Sequence, residues 1–242
     1  MQTPWITFDC FGTLIDWNVG FAKILRPMFG KRTEELIIAY HEFERSIQTE
    51  KPHRLYKDVL ASSLRSAAQD LNLELTESQA QGFIEAWDSM PLFQDTEEML
   101  ASLRAMGFKL AVLTNCDEDL FALTHRRFHQ PFDLVVTAES VRDYKPASAH
   151  FRAFWRSSGV DRRNWIHVGC SWYHDIFPAR EFGIQRIWLD RESTGENESI
   201  ASVHVHSAKA ACAAIERLQN ESYLSQLVLP GVRQYAWYKN AV

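Results

Sequence analysis

The sequence predicts an α/β fold: a parallel sheet with helices on both faces and a helical cap domain inserted after the first strand. Three observations predict it. Short apolar runs recur along the chain, and helix-length stretches separate most of them, which is the pattern of strands joined by crossover helices. The alternation breaks once, between about residues 17 and 91, where the chain reads as helical. Polar residues capable of chemistry stand at the carboxyl ends of the strand-like runs, where open parallel sheets bind their ligands.

The first run is Trp5-Ile6-Thr7-Phe8, and Asp9 follows it directly. The inserted stretch then offers three helices. Leu36, Ile37, Tyr40, Phe43 and Ile47 recur close to helical spacing. Leu60, Leu64, Ala67 and Leu71 form one stripe between Tyr56 and Leu71. Thr76, with Glu77 and Ser78 in the first turn, opens a third helix through Phe83 and Trp87. An all-helical insert at this point sits over the strand ends and can close the site. The later strands are Leu110–Leu113, Leu134–Val136, Trp165–Val168, Gln185–Trp188 and a weaker run, Ser202–Val205. They complete a Rossmann-like core over 1–16 and 92–218, with the cap over 17–91. The last helix is expected to end near Leu218. The extension 219–242 is rich in Tyr223, Leu224, Leu227, Val228, Tyr235, Trp237 and Tyr238, so it is expected to pack on its own core or, as the sharper expectation, on a partner in a homodimer.

Composition narrows the function classes. The 242 residues suffice for one large domain, or for a core plus an insert. A formal net charge of -5 gives no nucleic-acid footprint. No run is long and apolar enough for a bilayer. The start, Met1 to Ile6, lacks a basic segment followed by an apolar one, so no secretory signal is expected and the cytoplasm is the expected compartment. Cys10, Cys116, Cys170 and Cys212 form no C-x-x-C pair. Buried thiols are expected, not a zinc site or a disulfide framework.

The chemistry centres on Phe8-Asp9-Cys10-Phe11-Gly12-Thr13-Leu14. A carboxylate at a strand end, with Gly12 three residues on, can act as a positioned nucleophile. The loop beyond it can turn backbone N–H groups toward a developing oxyanion. Alone, such an Asp is more simply an Asx turn. It is accompanied by Thr114-Asn115 after the second run, Lys145-Pro146 after the third, and Ser171-Trp172-Tyr173-His174-Asp175 after the fourth. Singly, Asn115 reads as a helix cap and Lys145 as a solvated lysine.

In that order, D-x-x-G-T, T/S-N, K-P and a late acidic residue, the chain resembles the haloacid dehalogenase superfamily from residue 5 to about 218. The resemblance implies that Asp9 is the nucleophile and that Thr13 holds its loop. It implies that Asn115 binds a substrate or leaving-group oxygen, that Lys145 neutralises the clustered carboxylates, and that Asp175 completes the acidic site. Superfamily phosphatases generally carry a second Asp two positions after the nucleophile, as general acid. Here Phe11 stands there, and phenylalanine donates no proton. Halide needs none, and the segment looks like the 2-haloacid dehalogenase branch.

The implied reaction is displacement of halide from a small 2-haloalkanoic acid by Asp9, giving an ester that water, activated near Asp175 or His174, hydrolyses to a 2-hydroxy acid. Cys10, Phe11, Trp17, Thr114, Ser171, Trp172 and His174 are the further candidates for the substrate site. The branch also presents a cap arginine, for which Arg45 and Arg54 are the candidates. No cofactor and no metal are expected; were magnesium used, Asp9 and Asp175 would hold it. The fourth motif departs from the branch, since Trp172 stands where an amide would orient water or carboxylate. Alternatives therefore stay open: another small 2-substituted acid or strained ring, a magnesium-dependent phosphatase, or an inactive binding relative.

Overall fold

A computed structural model describes residues 2–227. Its centre is one six-stranded sheet, all parallel. The strands are β1 (Trp5–Phe8), β2 (Lys109–Thr114), β3 (Leu134–Thr137), β4 (Trp165–Gly169), β5 (Gln185–Leu189) and β6 (Val203–Val205), in the order β3-β2-β1-β4-β5-β6. The chain builds β2 and β3 on one side of β1, then returns to add β4 to β6 on the other. The direction reverses between β1 and β4, so a crevice opens beyond their carboxyl ends. Asp9 follows β1 at that point, and the Ser171–Asp175 segment follows β4.

Alternation within the strands feeds two cores. Ile6, Phe8, Leu110 and Val112 face one, covered by α5 (Thr96–Ala105) and α10 (Ala208–Leu227). Trp5, Ala111, Leu113 and Trp165 face the other, with Phe151 and Phe154 of α8 (Ala149–Ser158) and Ala179 of α9 (Phe177–Phe182). Burial on both faces explains why the strands read as near-continuous apolar runs.

Between β1 and α5 lie α1 (Trp17–Phe29), α2 (Thr33–Ile47), α3 (Tyr56–Asp70) and α4 (Glu77–Glu85), with no strand of the sheet among them. Local chemistry sets their starts. The Asp16 side chain accepts from the Val19 amide at 3.1 Å to open α1. Thr76 and Gln79 cap α4 reciprocally. The cap is seated on the core by Asp117, whose carboxylate accepts from the Tyr56 and Lys57 amides at 2.7 and 2.9 Å, at the N-terminus of α3.

Helix α2 forms where the spacing predicts it, with Phe43 and Ile47 packed partly buried on the core and with Glu44 and, at its C-cap, Gln48 also buried. Two expectations need correction. Asp175 lies not in a loop but in a π-helical turn, Trp172–Ile176, that runs into α9. The last helix does not stop near Leu218 but extends to Leu227. The segment holds no proline or glycine before Pro230, so nothing breaks the helix at 218. Of the aromatic extension, Val228, Tyr235, Trp237 and Tyr238 lie outside the described residues. No described helix is long and apolar enough to cross a membrane.

Candidate active site

A cavity of about 440 Å³ lies between the strand ends and the cap. Its core wall is a chain of buried charges. Lys145 Nζ donates to Asp9 Oδ1 at 2.8 Å and to Asp175 Oδ1 at 2.7 Å. Thr13 Oγ1 donates to Asp9 Oδ2 at 2.7 Å and accepts from the Cys170 amide at 2.9 Å, tying the β1 loop to the β4 loop. Asp175 Oδ2 accepts from the Ser171 amide at 3.1 Å. Behind it, Trp165 Nε1 donates to Thr7 Oγ1 at 2.8 Å, and Thr7 Oγ1 meets His167 Nδ1 at 2.9 Å. That chain leaves His167 Nε2 facing Asp175 Oδ1, 3.5 Å away.

Two glycines make the wall possible. Gly12 has φ +92°, and a Cβ there would stand 2.7 Å from Cys170 Sγ. A Cβ on Gly169 would stand 2.4 Å from Asp175 Cβ, so only glycine lets the acid approach the sheet. Of the loop amides, those of Gly12, Thr13, Leu14 and Ile15 are taken up by the carbonyls of Ile15 and Cys10, which leaves those of Cys10 and Phe11, next to Asp9, for a developing oxyanion.

The charges set one another. Burial works against the Lys145 ammonium, but Asp175 and Asp9 outweigh it and hold its pKa above the ordinary lysine value. Burial would raise Asp175, yet Lys145 and His167 outweigh it and hold the acid well below the usual carboxylate range. Asp9 goes the other way: burial, then the neighbouring Asp175 charge, raise it, and Lys145 and Thr13 only partly offset them. Burial pulls His174 down to about 4, so its ring is neutral near pH 7. Burial pushes the Cys170 thiol up, which makes it a poor nucleophile.

The predicted residues distribute as follows. Asp9, Phe11, Trp17, Arg45, Thr114, Asn115, Lys145, Ser171, Trp172, His174 and Asp175 line the cavity. Asn115 is fastened to the Lys145 backbone, accepting from its N–H at 2.7 Å and donating to its carbonyl at 3.2 Å. One amide hydrogen remains for a substrate oxygen. Thr13 acts from behind through Asp9. Cys10 is fully buried outside the lining. Arg54 is also outside it: its guanidinium meets Ser62 Oγ at 2.6 Å and Glu50 Oε2 at 3.4 Å. It lies in the connector just before α3, where Glu50 and Ser62 engage it.

Sequence reading missed the cap wall. Glu44 Oε1 accepts from Tyr56 Oη at 2.5 Å and Tyr40 Oη at 3.2 Å, and Oε2 lies 3.4 Å from His41 Nδ1. His41, Glu44, Gln48 and Tyr56 all line the cavity. His41 packs on Trp17, ring centroids 4.1 Å apart, and Phe11 packs on Trp87 at 4.7 Å. The available signal was the four-residue spacing of Tyr40, Glu44 and Gln48.

Residues 4–183 match the model of a haloacid dehalogenase-like hydrolase family. The chain belongs to that family. Among relatives, it is 23% identical over 194 residues to an (S)-2-haloacid dehalogenase of Pseudomonas sp. (strain YL), covering 77% of this chain and 82% of that one. An L-2-haloacid dehalogenase crystal structure superposes with a TM-score of 0.80 at 22% identity, covering 89% of this chain and 100% of the other. The L-2-haloacid dehalogenase of Xanthobacter autotrophicus with chloropropionic acid covalently bound gives 0.77 at 18%, covering 89% and 99%. At these identities the structural likeness establishes the fold, and the family match establishes a hydrolase of the haloacid dehalogenase superfamily.

Members of the superfamily that use magnesium set it between the nucleophile and the fourth-motif acid. Asp9, Cys170 and Asp175 each offer an atom within 4.8 Å of the others. Magnesium is commonly held by one or two carboxylates, with waters completing its octahedron. Asp9 and Asp175 would supply two such carboxylates; the Cys170 thiol, its pKa raised by burial, is no donor for that ion, and the Lys145 ammonium already bridges the two carboxylates.

Proposed function

We propose that the chain hydrolyses small 2-haloalkanoic acids by covalent catalysis through Asp9, with no step routed through a metal ion. The observation that carries the reading is the pairing of a Lys145-bridged Asp9 with Phe11 at the position where a phosphatase needs its acid. A Phe11 ring packed on Trp87 can protonate no leaving alcohol, a loss of roughly two to four orders of magnitude for a phosphate ester. Halide leaves without a proton, so the same site loses nothing for it. The covalently bound acid in the Xanthobacter enzyme is consistent with this chemistry.

In the first step an ionised Asp9 oxygen attacks C2, and the carbon–halogen bond breaks with its electron pair leaving as halide. Lys145 favours the ionised form of Asp9 against its burial. Arg45, on the cap side of the cavity, is the cation for the substrate carboxylate or the departing halide. In the second step water attacks the Asp9 carbonyl carbon, and Lys145 Nζ stabilises the oxyanion that forms. His174 is the base we assign. Its pKa of about 4 lies above that of Asp175, whose two oxygens already face Lys145, His167 and the Ser171 amide. The proton taken from water then goes to the alkoxide oxygen of the departing 2-hydroxy acid as the Asp9–substrate C–O bond breaks, and the second water proton, left on the Asp9 carboxyl, is released to solvent to restore the carboxylate.

The test is halide release from 2-chloropropanoate, haloacetates and fluoroacetate, beside phosphate release from a phosphate monoester with and without magnesium. Halide release without added metal supports the reading. Magnesium-dependent phosphate release alone would replace it with a phosphatase, and no turnover of any substrate would make the chain a binding relative.

A further inference from the structure

We propose that Asp190, His204 and His206 form a binding site for a divalent transition-metal ion of the zinc class, on a ligand set distinct from the Asp9 cluster, although Asp190 lines the same cavity. Asp190 follows β5, and His204 lies in β6 with His206 just beyond it. Being two residues apart, the histidines project to the same side of the strand. One ligand atom from each of the three residues lies within 4.8 Å of the others.

The ring contacts set which nitrogens face the cluster. His206 Nδ1 lies 2.8 Å from the Asp190 carbonyl oxygen, which can only accept, so Nδ1 donates and Nε2 is the nitrogen left for a ligand. His204 Nδ1 lies 2.8 Å from Glu198 Oε2, so it too engages an outer group and turns Nε2 to the cluster. That Nε2 faces Asp190 Oδ2 at 3.2 Å, close enough for one ion to be held by both. Two ligands on one tetrahedral zinc, with bonds of about 2.0–2.1 Å, are separated by roughly 3.3 Å. The 3.2 Å between His204 Nε2 and Asp190 Oδ2 therefore suits one edge of a coordination sphere, with the His206 ligand atom within 4.8 Å of both.

The outer groups are those a metal histidine requires: a carboxylate on one ring and a backbone carbonyl on the other. His204 is further held by stacking on the buried Trp188, centroids 4.2 Å apart and planes within 16°. The Thr194 amide lies 3.2 Å from both Asp190 oxygens and steadies the carboxylate. Nitrogen and oxygen donors of this kind suit zinc, and the fourth position goes to water. The ion would clamp β6 to the end of β5. The next residue, Arg191, donates to the Thr13 carbonyl at 3.0 Å, so the clamp anchors the brace on the Asp9 loop.

The experiment uses the full chain without an affinity tag, stripped with chelator and titrated with zinc or cobalt(II). Calorimetry should give one zinc per chain that survives gel filtration and raises Tm. Cobalt should give a tetrahedral visible spectrum without a thiolate charge-transfer band. His204→Gln and His206→Gln should each weaken binding at least about tenfold, and the double variant should abolish it, while Asp9→Asn leaves it unchanged. Three results would overturn the site: no bound zinc, which makes His204 an imidazolium held between Glu198 and Asp190; binding unchanged in the double variant; or a thiolate band, which puts the metal at Cys170. None of these readouts depends on the hydrolase activity.

Discussion

On the core wall of the cavity each charged group faces its opposite: Lys145 lies between Asp9 and Asp175, and the hydrogen-bond chain behind them leaves only His167 Nε2 beyond bonding distance. On the cap wall the buried charge, Glu44, faces two phenols and a histidine, and the cation, Arg45, is exposed beside it. A paired, dehydrated ion set is what bond making demands, because electrostatic interactions there are strong and fixed in advance. A wall that only recognises can hold polar groups in looser arrangements. Changes in the core wall should therefore act on kcat and on stability, and changes in the cap wall on KM.

The largest effect is expected for Asp9→Asn. The amide is nearly isosteric but poorly nucleophilic, so halide release should fall by about four orders of magnitude or more while the unfolding curve stays cooperative. Activity that survives this change would remove the distinction between the walls. His174→Gln comes next. It should slow ester hydrolysis by roughly two to four orders of magnitude but leave the first step, so rapid quench should show a halide burst of one equivalent.

Lys145→Met tests the pairing itself. Breaking a buried pair from one side costs about 3–5 kcal/mol, or roughly 6–20 °C in Tm for a chain of this size. The sign follows from Asp175. Its folded pKa is depressed, so the stabilisation is present above the ordinary Asp value and is lost only as pH falls through the lowered one. The gap to wild type in chemical denaturation should thus be constant near neutral pH and shrink in strong acid. Asp9 predicts the pH profile. Its pKa is raised and only the ionised form attacks, so the acid limb of kcat/KM lies above the ordinary Asp value. Lys145→Met should move the residual limb up, and Asp175→Asn should move it down.

The core wall was legible because its chemistry depends on strand ends. Asp9, Asn115, Lys145 and Asp175 each follow an apolar run, and the parallel order brings those ends together. The cap wall was not legible, because apolar periodicity marks what faces a core and is silent about what faces a cavity. In α2 it found Leu36, Ile37, Tyr40, Phe43 and Ile47, all packed on the core, but not Glu44 or, at the C-cap, Gln48, which are buried beside the cavity. The same limit hid His204 and His206, whose meaning depends on Asp190 across the sheet. For arginines, sequence gave only a choice; the fold puts Arg45 on the cavity and Arg54 on Ser62.

Smaller effects follow on the cap side. Glu44→Gln keeps an oxygen for both tyrosine hydroxyls and removes a negative charge from the wall. It should lower KM for a 2-haloalkanoate severalfold, worth about 1 kcal/mol, with kcat within twofold, about the resolution of such assays. Arg54→Ala should change neither constant, and a KM change there as large as that of Arg45→Ala would reassign the cap cation.

The most direct test of the central claim is single-turnover hydrolysis of 2-chloropropanoate in heavy-oxygen water, with enzyme in excess, followed by mass spectrometry of the Asp9 peptide and of the product. The account predicts one heavy oxygen on Asp9 and none in the first lactate released, since water attacks the enzyme ester and leaves the substrate carbon untouched. Heavy oxygen appearing directly in lactate, with Asp9 unlabelled, would contradict it and make water the nucleophile.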